Sequence, residues 1–296
     1  MLGAMYRRSV ITDEISQDLE DVLAVAQAFH LDGLEIRTVW DTRVDQLDAA
    51  AVRRLREAVE RAGLVVAAVA PPVYKCDIDN PEERREHLDI LRRAIDVGLR
   101  LGSRIVRTFT FWKKRPLAEV WETLLEAYQE PIAIARSAEV ILAIENESSC
   151  TIGSGSDLAR FLAALDCPEA RALWDPCNAY YETAAEEPFP TGYHQIRDYL
   201  IHVHLKDAVR DPGAARPRLV PLGEGAVAVA PLLQALRQDG YSGFVSLETH
   251  WRPTALDEET VRLPGGRAFS ERGAVATIRC LQNWEAMDQR DSPKSV

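Results

Sequence analysis

The chain has 296 residues, of which 47% are hydrophobic and 27% are charged, and this composition is typical of a folded globular protein. Its formal net charge of −11 opposes non-specific attraction to nucleic acid or to an anionic membrane surface. No apolar run has the length of a membrane-spanning helix, and the first residues lack the apolar core of a secretory signal, so we expect a cytoplasmic protein.

Five cysteines are scattered along the chain, and no two of them form a CxxC pair. They are Cys76, Cys150, Cys167, Cys177 and Cys280. An odd and dispersed set favours reduced thiols over a disulfide framework.

Eight short runs that are rich in β-branched residues alternate with longer amphipathic segments. Most of the runs are almost continuously hydrophobic, which is typical of parallel strands covered on both faces. The predicted strands are residues 9–15, 33–39, 65–72, 104–111, 140–147, 171–175, 201–207 and 243–249.

The segments between these strands have the spacing of amphipathic helices. One face of residues 18–31 holds Leu19, Val22, Leu23, Ala26 and Phe29, and one face of residues 82–102 holds Leu88, Leu91, Ile95 and Leu99. Glycines at positions 63, 102 and 240 are placed to end helices. The alternation predicts an α/β protein with a single domain, a (β/α)₈ TIM barrel over residues 1–286, followed by a polar, disordered tail at 287–296.

Two connecting segments are longer than simple turns. Residues 182–194 follow the sixth predicted strand, and residues 252–268 follow the eighth. Both belong to the carboxyl-terminal face of the barrel, where barrel enzymes bind their substrates, so we expect them to act as lids.

Four residues with metal-binding side chains stand at the ends of four consecutive predicted strands. They are Glu145, Asp175, His204 and Glu248, separated by 30, 29 and 44 residues. One strand-and-helix unit of a barrel averages about 31 residues, so all four can point into one central cavity. Three carboxylates and one imidazole form an oxygen-rich site for one divalent ion: Mn²⁺, which we favour, or Mg²⁺, Co²⁺ or Zn²⁺.

The chain resembles the xylose isomerase-like TIM barrels, also called the sugar phosphate isomerase/epimerase or AP endonuclease 2 superfamily. The resemblance covers nearly the whole chain and rests on the segments AIEN, DPCNAYY, HVHLKDA, PLGEG and GFVSLETH in that order. The segments ITDEISQDLEDVLAVAQ and GLEIRTVWD at the first two strands are also similar to this group. The resemblance implies that Glu145, Asp175, His204 and Glu248 bind one divalent ion.

The resemblance also implies an isomerase or epimerase that enolises a keto-sugar or a sugar phosphate. In the ketose epimerases of the group, the two metal-binding glutamates stand on opposite sides of the reacting carbon, which makes Glu145 and Glu248 the predicted acid and base. A metal bound to substrate oxygens acidifies the neighbouring C–H bond and stabilises an enediolate. One carboxylate can then remove the proton while the other returns it to the opposite face.

One position departs from the epimerase pattern. Those enzymes have a histidine three residues after the metal-binding aspartate, whereas this chain has Asn178, whose amide can bind a hydroxyl group but cannot shuttle protons. A second hypothesis therefore stays open: a lyase or dehydratase that uses the same enolate for β-elimination on a 3-keto-glycoside or an inosose.

Six residues are predicted to bind substrate: Asn178, His202, Lys206, Arg210, Glu224 and Trp112. His202 and Lys206 share the inward-facing register of His204, and Arg210 matches a substrate-binding arginine of the resembled epimerases. Each has a structural alternative, which is packing for His202 and Trp112, ion pairing for Lys206, exposure to solvent for Arg210 and support of a loop for Glu224.

Charged residues also interrupt the apolar strands on the other half of the barrel. They are Glu14, Glu35, Arg37 and Arg107. A buried ion-pair network explains them as well as substrate contact does, because buried charges require partners.

Two further functional classes are disfavoured. A DNA-repair endonuclease of the resembled group needs a three-zinc cluster rich in histidines, whereas this acidic chain has six histidines, of which His30 and His87 lie in predicted helices. A sensor that only binds a polyol has no need of two opposed glutamates in a metal site. The expected partner is a small-molecule carbohydrate, without nucleic acid or membrane, and a homo-oligomer stays possible.

Overall fold

Eight parallel strands close into a barrel. A computed structural model describes residues 6–182, 186–254 and 266–291. The barrel strands are β1 (Arg7–Ile11), β2 (Gly33–Ile36), β3 (Val65–Val69), β4 (Ile105–Thr108), β5 (Ile141–Glu145), β6 (Ala170–Trp174), β7 (Leu200–Leu205) and β8 (Phe244–Leu247). Each strand pairs with the next along the chain, and β8 pairs with β1, with Val10 opposite Leu247. The predicted (β/α)₈ barrel is confirmed.

Helices cover the outside of the barrel. The longer ones are Leu19–Ala28, Ala49–Arg61, Pro81–Arg100, Leu117–Ala127, Gln129–Ala138, Gly155–Leu165, Val229–Gln238 and Gly273–Asp291. Short helices span Thr12–Ile15, Pro176–Tyr181, Tyr193–Ile196 and Arg267–Ser270. Two small antiparallel hairpins pair Thr38–Val39 with Thr42–Arg43 and Asp207–Val209 with Arg218–Val220. No helix within the three described ranges is long and apolar enough to cross a bilayer.

Local sequence explains where the helices begin and end. The side chain of Asn80 accepts hydrogen bonds from two backbone N–H groups of the following turn, which caps the helix that starts at Pro81. Gly63, Gly102 and Gly240 have φ values of +74°, +83° and +70°, so they end helices as predicted. Leu99, predicted on a buried face, is 39% exposed, because Gly98 is the residue that packs against Val69 in the last turn.

Several strands end earlier than the sequence predicts. The strands predicted to end at residues 15, 72 and 111 end at Ile11, Val69 and Thr108. The residues after these strand ends remain largely buried because they line the mouth of the barrel. Their sequence is therefore still apolar after the hydrogen bonds between the strands have ended. The residues Thr12–Ile15, for example, form a buried helical turn.

The last helix includes residues 287–291, which the sequence assigned to the tail. Asp288 accepts a hydrogen bond from Tyr6 and forms an ion pair with Arg237, and Met287 packs against the core. Asp288 and Met287 are therefore partners for other parts of the chain. Residues 292–296 lie outside the described residues, as do residues 183–185 and 255–265 of the two predicted lids.

A buried carboxylate organises the PLGEG segment beyond β7. Asp207 is 2% exposed, and its side chain accepts hydrogen bonds from the backbone N–H groups of Ala208, Gly223, Gly225 and Val227. A Cβ atom on Gly225 would collide with this carboxylate, which explains the second glycine of the segment.

We expect Asp207→Asn to destabilise the protein. An amide has one acceptor oxygen and a donor NH₂ group, so at least one buried N–H loses its acceptor, at a cost of about 1–3 kcal/mol for each such group. Urea unfolding measures the loss. The matched control is Asp211→Asn, which removes an exposed carboxylate paired with Arg218. Equal stability of the two variants would contradict the role of Asp207.

Candidate metal centre

The four predicted metal ligands converge at the mouth of the barrel. Glu145 ends β5, Asp175 follows β6, His204 lies in β7 and Glu248 follows β8. One ligand atom of each lies within 4.8 Å of the ligand atoms of the others, and all four side chains are buried. We call these four residues the quartet. They form a group that could hold a metal ion.

The ligand atoms of the quartet face one another. His204 Nδ1 is 3.4 Å from Glu145 Oε1 and 3.3 Å from Glu248 Oε2. Three buried atoms of the quartet form no hydrogen bond with the described residues: His204 Nδ1, Glu145 Oε2, which contacts Arg107 Nη1 at 3.4 Å, and Asp175 Oδ2, which has an ion-pair contact with Lys206 Nζ at 2.7 Å. Buried polar atoms without a hydrogen bond are rare and costly, and a divalent cation bound between these three would compensate them all once His204 is deprotonated. The quartet therefore fits a metal ion.

The balance of buried charges also fits a divalent cation. Six buried carboxylates and four buried cations are linked around the quartet. The carboxylates are Asp13, Glu14, Glu35, Glu145, Asp175 and Glu248, and the cations are Arg37, Arg107, Lys206 and Arg252. When the histidines are neutral, as His204 must be when it binds a metal, this network has a net charge of −2, which one divalent ion neutralises.

Three cations contact carboxylate oxygens of the quartet. Lys206 Nζ is 2.7 Å from Asp175 Oδ2 and 2.9 Å from Glu248 Oε2, so it pairs with these two ligands and not with Glu145. Arg37 Nη1 is 2.8 Å from Glu248 Oε1. Arg107 Nη1 lies between the two glutamates, 3.4 Å from Glu145 Oε2 and 3.6 Å from Glu248 Oε1.

These contacts give the ligands different proton affinities. Burial raises the pKa of Asp175 to about 6, although Lys206 opposes the rise. Burial acts on Glu248 in the same direction, but the charges of Lys206, His250 and His204 hold the pKa of this carboxyl well below its usual range. Burial lowers the pKa of His204, and the carboxylates of Glu35, Glu248 and Glu145 outweigh it, so that pKa is raised well above its ordinary value.

The structure places two of the predicted substrate-binding residues beside the quartet. Lys206 is one of them, as described above. The other is Asn178, which is buried and whose Nδ2 donates to Glu145 Oε1 at 3.1 Å and to the backbone oxygen of Asn146 at 3.0 Å.

His202, predicted to support or line the site, lies inside the barrel beneath the quartet. It is fully buried, and its Nε2 is 2.9 Å from Glu35 Oε2 and 2.8 Å from Ser246 Oγ. It stands two positions before His204 in β7, so it lies one layer further from the mouth. This position favours support of the site over substrate contact.

The other three predicted substrate-binding residues have partners outside the quartet. Arg210 is exposed and lies over the ring of Tyr180, 5.9 Å from its centroid. Glu224 is exposed and pairs with Arg279 of the last helix at 2.7 Å, so it braces the PLGEG segment. Trp112 is half-buried and forms a β-bridge with Cys150.

Sequence reasoning missed His250 as a neighbour of the quartet. Its Nε2 is 3.2 Å from Glu14 Oε1 and 3.4 Å from Glu248 Oε1, and its φ of +48° is unusual for a residue with a side chain. It stands two residues after Glu248, and the two-residue register that identified His202 and Lys206 could have identified it.

Comparison with known proteins identifies the family. Residues 23–282 match the family described as xylose isomerase-like TIM barrel, and the chain belongs to this family. It is 24% identical over 225 residues to L-ribulose-5-phosphate 3-epimerase of Escherichia coli O157:H7, which covers 73% of this chain and 76% of that protein.

Two further matches differ in extent. The chain is 23% identical over 169 residues to inosose dehydratase of Yersinia enterocolitica, which is 52% of this chain and only 56% of that relative's length. A xylose isomerase domain protein from Planctomyces limnophilus has the same fold, with a TM-score of 0.72, 16% identity and coverage of 97% of this chain and 98% of that one.

We expect Arg37→Met to destabilise the protein strongly. Arg37 is paired with Asp13, Glu14 and Glu248, and all three carboxylates are buried. Removing one partner of a buried ion pair costs about 3–5 kcal/mol, because a charge is left unpaired. Chemical denaturation checks this, with Arg56→Met at the exposed pair with Glu60 as the control. Losses of similar size in both variants would contradict the buried network.

Proposed function

We propose that this protein is a divalent-metal-dependent sugar isomerase or epimerase that acts on a keto-sugar or a sugar phosphate through an enediolate. The observation that carries the proposal is the buried quartet, in which two glutamates share one site with an aspartate and a histidine. The relative named as an epimerase is in line with this reaction class.

The quartet residues Glu145, Asp175, His204 and Glu248 would hold the ion. When bound, a divalent ion, with Mn²⁺ favoured, polarises the carbonyl and hydroxyl oxygens of a ketose. This acidifies the C–H bond of the hydroxyl-bearing carbon next to the carbonyl. The low pKa of Glu248 keeps this carboxylate ionised at neutral pH, in the form that accepts a proton.

The side chains around the glutamates orient them for proton transfer. The amide of Asn178 binds one oxygen of Glu145, while Arg37 and Lys206 bind the two oxygens of Glu248. Arg107 lies close to one oxygen of each glutamate and supplies a fixed positive charge where negative charge develops on an enediolate. In the proposed reaction, one glutamate removes the proton and the other returns it.

A second candidate function is a lyase that eliminates a β-substituent from a 3-keto-glycoside or an inosose. It is favoured by Asn178, whose NH₂ group is engaged by Glu145 and Asn146 and cannot relay a proton as a histidine can. The inosose dehydratase relative is in line with this alternative. Both candidates begin with the same enolisation.

The reaction class is tested by hydrogen exchange in D₂O, followed by NMR with added Mn²⁺. The panel contains ketoses, ketose phosphates, inososes and 3-keto-glycosides. We expect deuterium at one carbon of one substrate class, because enolisation exchanges that proton with solvent. An epimer as product supports the isomerase, an elimination product supports the lyase, and no exchange in any class would contradict both.

Substitutions separate the metal-binding and proton-transfer roles. We expect His204→Gln and Asp175→Asn to reduce the metal retained after dialysis. Glu145→Gln should lower the exchange rate by about 10²–10⁴-fold with a smaller loss of metal, because the amide oxygen can still coordinate while the base is absent. The control is Glu147→Gln, which removes a carboxylate paired with Lys75. Equal losses of metal and exchange in Glu145→Gln would contradict separate roles.

Metal affinity is expected to increase with pH across the neutral range. Metal ligands must be deprotonated, and the pKa values of both Asp175 and His204 are raised in the metal-free protein. Below the Asp175 pKa of about 6, both residues must release a proton when the ion binds, whereas above it only His204 must. Calorimetry in buffers of different ionisation enthalpy counts these protons. A proton count that does not change through pH 6 would contradict the assignment of Asp175 as a ligand.

A further inference from the structure

The two ring nitrogens of His204 face different partners. Its Nε2 is 3.1 Å from Glu35 Oε1 and 3.0 Å from Glu35 Oε2. Its Nδ1 faces Glu145 and Glu248 and has no hydrogen-bond partner among the described residues. The imidazole is therefore hydrogen-bonded to Glu35 through Nε2, while Nδ1 faces the glutamates of the quartet.

Glu35 is fully buried, and its carboxylate contacts both histidines of β7. Its Oε2 also accepts from His202 Nε2 at 2.9 Å, and the same nitrogen is 2.8 Å from Ser246 Oγ. Ser246 Oγ is in turn 2.5 Å from Ser9 Oγ. This chain of contacts joins β2, β7, β8 and β1 beneath the quartet, and it leaves the Glu35 carboxylate little freedom to rotate.

An ionised carboxylate can only accept hydrogen bonds. Glu35 is therefore compatible with a proton on Nε2 of His204, and it opposes the tautomer in which Nε2 carries the lone pair. In that arrangement the lone pair of a neutral His204 lies on Nδ1, on the side of Glu145 and Glu248.

We propose that Glu35 is a positioning residue that holds the proton of His204 on Nε2, so that Nδ1 is the nitrogen that binds the metal. The inference rests on the proposed function, because it requires an ion at the quartet. Histidine ligands of metals usually donate their other N–H group to a carboxylate or carbonyl, which fixes the ring and increases its basicity.

The trio of Glu35, His202 and His204 is not a second metal site of the same kind. Its atoms also lie within 4.8 Å of one another. However, both Nε2 atoms and both oxygens of Glu35 already take part in hydrogen bonds with one another. Of the two ring nitrogens without hydrogen bonds, His202 Nδ1 and His204 Nδ1, the second faces the glutamates of the quartet. The two groups have different roles: one binds the ion and the other orients a ligand.

The test is the affinity of the full chain for Mn²⁺, measured by calorimetry. We expect Glu35→Gln to weaken binding by about 10–100-fold, because the amide NH₂ can meet the imidazole and removes the preference for a proton on Nε2. Glu35→Asp keeps the charge but shortens the side chain, so an intermediate loss is expected. The control is Asp45→Asn, which removes a buried carboxylate that pairs with Arg43 away from the quartet.

A second readout separates positioning from a general loss of stability. In the Zn²⁺-loaded protein with ¹⁵N-labelled histidine, long-range ¹H–¹⁵N NMR reports which nitrogen of His204 carries the proton. We expect the proton on Nε2 in the wild type and in Asp45→Asn, and a loss of this single form in Glu35→Gln.

The outcomes distinguish this inference from the proposed function. If the wild type binds no divalent ion, both are overturned. If it binds Mn²⁺ and the folded Glu35→Gln and Glu35→Asp variants bind equally well, only the role of Glu35 is overturned. A proton on Nδ1 in the Zn²⁺-loaded wild type would have the same consequence.

Discussion

The pairing of buried charges at the mouth of the barrel is the constraint on which the site depends. A carboxylate removed from water is costly unless a cation or hydrogen bonds compensate it. Arg37 joins Asp13 and Glu14, which follow β1, to Glu248, which follows β8. These pairs exist only when β1, β2 and β8 meet in register, so the charge network and the closure of the barrel support each other.

The strand β7 and the residue that follows it supply three layers of the site, because alternate side chains of an extended segment point the same way. His202 lies deepest and contacts Glu35 and Ser246. His204 forms the middle layer, where it faces Glu35 on one side and the glutamates of the quartet on the other. Lys206 is nearest the mouth, between Asp175 and Glu248. Glu35 therefore holds His204 from inside the barrel, and Lys206 pairs with Asp175 and Glu248 on the side of the mouth.

Isomerisation and β-elimination share enolisation as their first step and differ in the fate of the enolate. In the proposed chemistry, the quartet and its cations serve enolisation, because they place two carboxylates and fixed positive charges around one position. The product then depends on which neighbouring group can deliver a proton. Asn178, held by Glu145 and the backbone of Asn146, can orient a hydroxyl group but cannot itself deliver a proton in either reaction.

The sequence by itself determined the barrel and the four residues of the quartet. Periodicity and turn residues are local properties, so eight strands and the helix ends at Gly63, Gly102 and Gly240 could be predicted from short windows. The quartet could be predicted because the ends of parallel barrel strands meet at one face, whatever the details of the loops.

Only the tertiary structure decided which side chains contact one another. Glu35 and His204 are 169 residues apart, and no local pattern indicates that they share a hydrogen bond. The same holds for Lys206, which pairs with Asp175 and Glu248, and for Glu224, which pairs with Arg279 instead of facing the quartet. The physical reason is that a buried charge selects its partner by distance across the closed barrel, and closure sets these distances only after distant strands have paired.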